Sequence, residues 1–350
     1  MPDEAGFRTV FGRGLLPELR AFVHRPALVV TMEDLWPLVR DQVEGDHLAG
    51  VHFVHSLEVA ELERDVAGLP DVASVVGIGG GQAIDVAKYI AWRTRRPLFQ
   101  VPTATSVNAP FGHRSGVRVD GVVRYVGWAI PEAVYVDFDV IAGAPALLNR
   151  SGIGDVLCYH TAHADWKLAH ELGRCEPSWP YDIRLVEQAR SHLDAVLGAL
   201  DDIKAGTEHG VRTLVAAHRW GGATFHDAGW NPRHIEGVDH FVFYNLERLT
   251  GRHFIHGQPV GLGTVAGAVL QDNAPERIAD AYLRAGVDIR PEAMGVTWAD
   301  VDVALRTLGA FVREAGLWFT VADVRPFSDA LVARVHDLIV DRWGPWEEGR

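Results

Sequence analysis

The sequence predicts two halves of different class: an α/β N-terminal domain over residues 1–148 and an all-helical domain over 149–350. Three observations carry this. Short β-rich runs alternate with helical stretches through residue 137, and that alternation implies crossover units in a mainly parallel sheet. After about residue 148 the strand signals fade and helical spacing takes over. The chain's 350 residues are enough for two separate cores at ~100–200 residues per domain.

Taken in order, Ala27-Leu28-Val29-Val30-Thr31, Val51-His52-Phe53-Val54, Ala73-Ser74-Val75-Val76-Gly77-Ile78 and Pro97-Leu98-Phe99-Gln100-Val101 read as buried strands. Each is a short apolar run bounded by turn residues. Residues 35–43 and 57–67 lie between them with helical spacing, and a helix over 82–93 starts straight after a glycine run. Val117-Arg118-Val119, Asp120-Gly121 and Val122-Val123-Arg124-Tyr125-Val126 predict a hairpin, because Asp-Gly tolerates the positive φ of a type I′ turn. Val134-Tyr135-Val136-Asp137 closes the strand series. Beyond it, residues 185–200, 211–220, 259–270, 276–285, 301–315 and 331–343 read as helices. Thr297, with Asp300 three residues on, marks one helix start as an N-cap with its acidic partner. A cleft between the two domains is the expected ligand site.

Composition narrows the function classes. Acidic residues outnumber basic ones 46 to 33, a formal charge of −13, which argues against nucleic acid or an anionic membrane as the main partner. Local basic pockets for small anions stay compatible with it. The start, Met1-Pro2-Asp3-Glu4, lacks the basic and apolar blocks of a signal peptide. No apolar run reaches the ~18 residues that span a bilayer. Two cysteines, Cys158 and Cys175, cannot form a disulfide framework, so a reducing cytoplasm is expected.

The strand ending at Ile78 runs into Gly79-Gly80-Gly81 and then a helix carrying Asp85 and Lys88. Such a junction lets a phosphate approach bare backbone N–H groups at the positive end of the helix dipole. Gln82 stands where the last glycine of the usual dinucleotide fingerprint belongs, so a tight turn without a ligand stays open. Lys88 follows Asp85 by three residues, and their pairing also reads as a solvated helix contact. Val101-Pro102-Thr103-Ala104-Thr105-Ser106-Val107-Asn108 places hydroxyls at the carboxyl end of the next strand, where open sheets bind ligands. A turn bonding its own backbone is the alternative.

Seventeen histidines make accidental metal trios easy to find, and two sets stay open on the residues alone. One is Asp155, His160 and His163; the histidines can share a helix face, but Asp155, five before His160, points elsewhere. The other joins separate segments: Asp155, His240 in Gly237-Val238-Asp239-His240, and His256 in His256-Gly257-Gln258-Pro259-Val260-Gly261. Two imidazoles and a carboxylate with an open position suit zinc or another divalent first-row ion. Histidines serving only core or surface are the bland alternative.

At this point the residues resemble a known family. Gly77-Ile78-Gly79-Gly80-Gly81-Gln82-Ala83-Ile84-Asp85-Val86-Ala87-Lys88 is similar to the GxGGGxxIDxAK motif of the glycerol-1-phosphate dehydrogenases, which belong with iron-type alcohol dehydrogenases and dehydroquinate synthases. Val101-Pro102-Thr103-Ala104 resembles the next loop, and Pro131-Glu132-Ala133-Val134 through Ala142-Gly143-Ala144-Pro145 resembles the domain junction. Gly152-Ile153-Gly154-Asp155, with Ala164-Asp165-Trp166-Lys167-Leu168-Ala169-His170, resembles the first metal-binding helix. His256-Gly257-Gln258-Pro259-Val260-Gly261-Leu262-Gly263-Thr264 resembles the HGEQVGxGT segment. The matches run from roughly residue 10 to 325.

The resemblance implies a Rossmann-like nucleotide-binding domain, a helical metal- and substrate-binding domain (the dehydroquinate synthase-like fold) and a divalent metal, zinc first with iron or nickel as alternatives. It implies Asp155, His240 and His256 as metal ligands, acting in catalysis through the metal. Gly79, Gly80, Gly81 and Asp85 would hold NAD or NADP, with Thr103 and Ser106 near the nicotinamide half, and Asn108 would meet the substrate. The chain also departs from the family. After its first buried run it offers Met32, Glu33 and Asp34 where an acid selects unphosphorylated ribose. Val107-Asn108-Ala109 replaces a His-Asp-Gly segment, and Trp318-Phe319-Thr320 replaces an Arg-Tyr-Thr-like stretch. With Phe111 nearby, a more apolar substrate pocket is expected, Arg114 being the alternative phosphate partner. His113, His226, His234 and His253 are candidate proton relays.

The expected protein is a metal-dependent, NAD(P)-linked alcohol dehydrogenase. It would act on a small polyol or carbonyl compound, phosphorylated or not, as a cytoplasmic homo-oligomer. A metal-dependent cyclase or lyase of the dehydroquinate synthase type is one alternative, although that branch typically has Glu where this chain has Asp155. A nucleotide-binding homologue without turnover is the other.

Overall fold

The alternating runs of the first half form strands β1 (Arg8–Gly12), β2 (Ala27–Thr31), β3 (Leu48–Phe53), β4 (Ser74–Gly79) and β5 (Leu98–Pro102). They are followed by β6 (Ser115–Val119), β7 (Val122–Val126) and β8 (Ala133–Asp137). The coordinates are a computed structural model describing residues 6–119, 122–227 and 230–347. These divide into two units. One takes the residues up to Asn149 together with His218–Asp227; the other takes Arg150–Ala217 and the residues after Asp227.

In the first unit six strands form one sheet in the order β1-β8-β5-β4-β2-β3, every pair parallel. Successive residues point to opposite faces. Val29, Val76, Ile78, Phe99 and Tyr135 pack with Leu16, Leu19 and Val39 on one side. Leu28, Val30, Val75 and Leu98 pack with Leu62, Val86 and Ile90 on the other. Both faces are covered, which is why these strands read as unbroken apolar runs. β1 lacks that signal. It is an edge strand of half-exposed residues paired only with β8, and the sequence does not announce it. β6 and β7 pair antiparallel as the predicted hairpin, whose Asp120-Gly121 turn lies outside the described residues.

From β2 the chain passes outward to β3, whereas from β4 it passes to β5 on the other side. The order therefore reverses between β2 and β4, and open α/β sheets take ligands at the carboxyl ends flanking such a point. The final stretch of helix Glu208–Asp227 also groups with this unit. Arg219 Nη2 donates to the Phe7 carbonyl at 2.6 Å. A Cβ added to Gly222 would sit 3.0 Å from the backbone of Phe111 and Gly112. A single boundary at residue 148 does not capture this returning segment.

The second unit is helical. The stretches predicted at 185–200, 259–270, 276–285 and 331–343 appear as Ile183–Gly198, Gly257–Gln271, Pro275–Ala285 and Asp329–Trp343. Thr297 and Asp300 form the expected reciprocal cap. The helix expected over 301–315 is instead two, Trp298–Arg306 and Leu308–Glu314. At the break, Thr307 Oγ1 turns back to the Val303 carbonyl at 2.7 Å, a bond that bends helices. Helix Val238–Thr250 went unread by periodicity because Val238, Phe241, Val242 and Leu246 are buried alongside polar Asp239, His240 and Asn245. That mixture blurs a one-sided apolar stripe. No helix among the described residues is long and apolar enough to cross a membrane.

Candidate functional site

Glycine contacts assemble the donor cluster of the helical unit. Asp155 sits in the short helix Gly154–Leu157, and His256 immediately precedes helix Gly257–Gln271. A Cβ on Gly154 would lie 2.6 Å from Gly257 Cα, and one on Gly257 would lie 1.7 Å from the Ser151 carbonyl. Only bare backbone lets these segments touch. Gly263 likewise lets Gly257–Gln271 press on the Asp239 carbonyl at the start of helix Val238–Thr250, where its Cβ would fall at 2.1 Å. His256 Nε2 then lies 2.8 Å from Asp155 Oδ1, and His240 Nε2 lies 3.9 Å from the same oxygen.

These three donor atoms lie within 4.8 Å of one another. Two ligands held tetrahedrally at ~2.1 Å are ~3.4 Å apart, a value that these two separations bracket. Asp155 and His240 are buried, whereas the His256 side chain is 26% exposed, so access is from the His256 side. A carboxylate and two imidazoles are a fitting donor set for a divalent ion.

The next layer fixes His240. Its Nδ1 lies 2.6 Å from Asp239 Oδ1. With Nδ1–H donated there, the neutral ring would turn its Nε2 lone pair toward Asp155, the usual arrangement behind a metal-binding histidine. Asp239 is itself held by Thr161 Oγ1, which donates to Oδ2 at 2.7 Å. Burial lowers the His240 pKa, but Glu236, Asp239 and Asp155 outweigh it and push it up to about 9. Asp165, pushed up to about 7 by burial, accepts the N–H groups of Val238 and Val321 at 2.8 and 2.9 Å. It anchors the segment leading into His240. The roles of Asp239, Thr161 and Asp165 were missed in the sequence; the one signal was an acid directly before His240.

The other histidine set does not assemble. His160 Nε2 lies 2.7 Å from the Asn273 carbonyl, and His163 packs its ring 6.3 Å from that of Tyr159. Burial lowers both, His163 to about 3. Among the relay candidates, His113 packs against Phe7 and Trp128 and His234 is fully buried near Trp166. His253 is exposed beside Glu247, and the His226 side chain lies outside the described residues.

In the first unit, β4 ends at Gly79 and helix Gly81–Thr94 begins two residues later. Gly79 has φ +153, and a Cβ there would meet Ala83 Cβ at 2.7 Å, so both conformation and packing require glycine. Gly80 is different. Its φ of −81 suits any residue, and a Cβ there would have nothing within 4 Å. Neither turn geometry nor packing requires glycine at position 80, and the open space there leaves the helix N-terminus accessible. Thr103 N–H donates to the Gly79 carbonyl at 3.1 Å, and Val107 borders Gly81. The loop with Ser106 and Asn108, both half-buried, therefore flanks the turn.

Asp85 is engaged by partners within the unit. Its Oδ1 lies 2.7 Å from Lys88 Nζ and accepts the Gly116 N–H at 3.0 Å. Lys88, its side chain only 2% exposed, also donates to the carbonyls of Ala109 and Arg114 at 3.0 and 2.5 Å. This is a largely buried pair rather than a solvated helix contact. It clasps the 109–116 segment to the helix. Of the aromatic residues expected to line a pocket, Phe111 and Trp318 pack on other rings and the Phe319 ring lies under the Arg174 guanidinium. Phe111 stacks on Phe7 at 6.3 Å, and Trp318 meets Phe241 at 4.9 Å. The Phe319 carbonyl accepts from Arg233 at 2.5 Å, and the Arg114 guanidinium lies over Trp128.

Residues 11–145 match the family described as iron-containing alcohol dehydrogenase. The glycerol-1-phosphate dehydrogenase (NAD(P)+) of Thermofilum pendens is 32% identical over 350 residues, 96% of this chain and 97% of that protein. The protein of the same name from Aeropyrum pernix is 33% identical over 261 residues, 74% of this chain and 72% of its own. In fold, the chain is similar to the crystal structure of glycerol dehydrogenase from Schizosaccharomyces pombe. That match has a TM-score of 0.73 at 20% identity, over 98% of this chain and 93% of the other. The chain belongs to the glycerol-1-phosphate dehydrogenase family.

Proposed function

We propose that the protein is a metal-dependent, NAD(P)-linked dehydrogenase acting on a CH–OH group of a small polyol, with Asp155, His240 and His256 holding one divalent ion. One observation carries the reading. The donor atoms of these three residues converge, while the second nitrogen of His240 is engaged by Asp239. Zinc suits a set of one carboxylate and two imidazoles with an open position. When bound, such an ion supplies Lewis acidity to the substrate oxygen. A bound NAD(P)+ would supply the hydride acceptor for the carbinol carbon, so that with release of the hydroxyl proton the alcohol would become a carbonyl and the cofactor NAD(P)H.

The chain's own residues have distinct parts. Asp239 and Thr161 hold the His240 ring in the tautomer that leaves Nε2 available. Gly80 and the N-terminus of helix Gly81–Thr94 receive the pyrophosphate. Glu33 and Asp34, exposed just beyond β2, lie on the other side of the point where strand order reverses. They favour NAD by accepting from a ribose hydroxyl and repelling a 2′-phosphate. The test is NADH formation with glycerol or glycerol 1-phosphate before and after chelation. Activity lost with the metal and restored by adding it back supports the reading; turnover indifferent to chelation overturns it.

A further inference from the structure

Glu236 directly precedes the N-cap Gly237 of helix Val238–Thr250 and is partly buried. It lies outside the converging ligand set. Tyr244 Oη donates to its Oε2 at 3.3 Å. The Tyr244 ring is 6.0 Å from that of His240, which is 5.3 Å from that of His256. Glu236 Oε1 has no hydrogen-bond partner among the described residues. One oxygen is thus held by Tyr244 and the other carries no hydrogen bond, and the carboxyl is near enough to His240 and His256 for their charges to act on it.

An ionised carboxylate is a strong acceptor for a hydroxyl. A phosphate dianion at the same place would meet the like charge of Glu236 itself. Burial pushes the Glu236 carboxyl up and His240 and His256 pull it down; a dication in the neighbouring donor set would further favour its ionised form. We propose that Glu236, positioned by Tyr244, is a specificity-determining residue that accepts a substrate hydroxyl next to the reacting carbon. It selects an unphosphorylated polyol, or the matching hydroxyketone, over a phosphate ester. This rests on the dehydrogenase reading above.

The experiment compares wild type, Glu236→Gln and Tyr244→Phe, each with its metal content measured, using dihydroxyacetone and dihydroxyacetone phosphate with NADH. Calorimetry measures binding of both ketones to the metal-loaded proteins. Wild type should prefer the unphosphorylated ketone. Glu236→Gln should lose about tenfold for it in KM and in calorimetric affinity, with kcat little changed, as expected for removing one charge-assisted bond. Tyr244→Phe should shift the same way by less. A wild-type preference for the phosphate overturns the role of Glu236, and so does an unchanged ratio between ketones in Glu236→Gln at full metal content. Absence of NADH-linked turnover with either ketone would sink the dehydrogenase reading instead, while the calorimetric ratio still decides whether Glu236 discriminates.

Discussion

The glycine turn of the first unit and the donor cluster of the second use the same residue types in opposite ways. At the turn, Gly80 faces open space while Asp85 and Lys88 are closed off by Gly116, Ala109 and Arg114. In the cluster, Gly257 is closed off by Ser151 while Asp155, His240 and His256 turn donor atoms toward one another. All three N–H donors of Lys88 have acceptors, so that pair holds the fold. The cluster instead gathers lone pairs, an arrangement that a cation completes. Burial does not separate the two, since both contain buried charged groups. Partners do.

The largest effects should come from breaking each set of charges. Asp155→Ala should lower kcat/KM by ~10³-fold or more, the several kcal/mol expected of Lewis-acid stabilisation. Lys88→Met should keep the metal but cost ~3–5 kcal/mol of stability, because it strands a paired carboxylate. Turnover with metal analysis and a denaturant midpoint check the two. A Lys88→Met protein that folds normally yet loses its metal would erase the contrast.

A smaller pair of effects separates the glycines. Gly80→Val should leave the melting temperature nearly unchanged and weaken NADH binding by about 10- to 100-fold, an overpacking penalty taken at the binding step. Gly257→Ala should do the reverse to the fold, lowering the melting temperature because the new methyl overlaps the Ser151 carbonyl. Fluorescence titration and thermal melts of both variants are sufficient. Unchanged NADH affinity in Gly80→Val would reduce the glycine run to a turn.

The smallest effects sharpen the cluster itself. Asp239→Asn should cost about 10- to 100-fold in metal affinity by releasing the His240 ring. His240 carries a pH signature. Its charged form is favoured in the metal-free fold, so its stabilisation is full below the ordinary value of 6.5 and lost as pH rises through about 9. Metal binding needs the neutral Nε2, so apparent affinity should rise by about tenfold per pH unit from 7 toward 9 and then level. Titrations at pH 7, 8 and 9 read this directly; affinity that falls with rising pH in this range contradicts it.

Much of the fold was legible because both faces of the sheet are covered, leaving continuous runs such as Val75-Val76-Gly77-Ile78. β1 was not, since its half-exposed residues carry no such run and only pairing with β8 makes it a strand. The members of the cluster were legible by resemblance, whereas residue spacing alone left His160 and His163 in contention. What spacing cannot reveal is close backbone approach: Gly154 against Gly257, and Gly263 against Asp239, bring together ligands far apart in the chain. The inward turn of Asp85 depends on Gly116, 31 residues away, a partner no local pattern predicts. Glu236 gave no motif at all.

The most direct test of the account is metal stoichiometry on the purified protein and on single variants confirmed to be folded. About one divalent ion per chain is expected for wild type, His160→Ala and His163→Ala, and essentially none for His240→Ala or His256→Ala. Full occupancy in His256→Ala would contradict the assignment of Asp155, His240 and His256 as the metal-binding set.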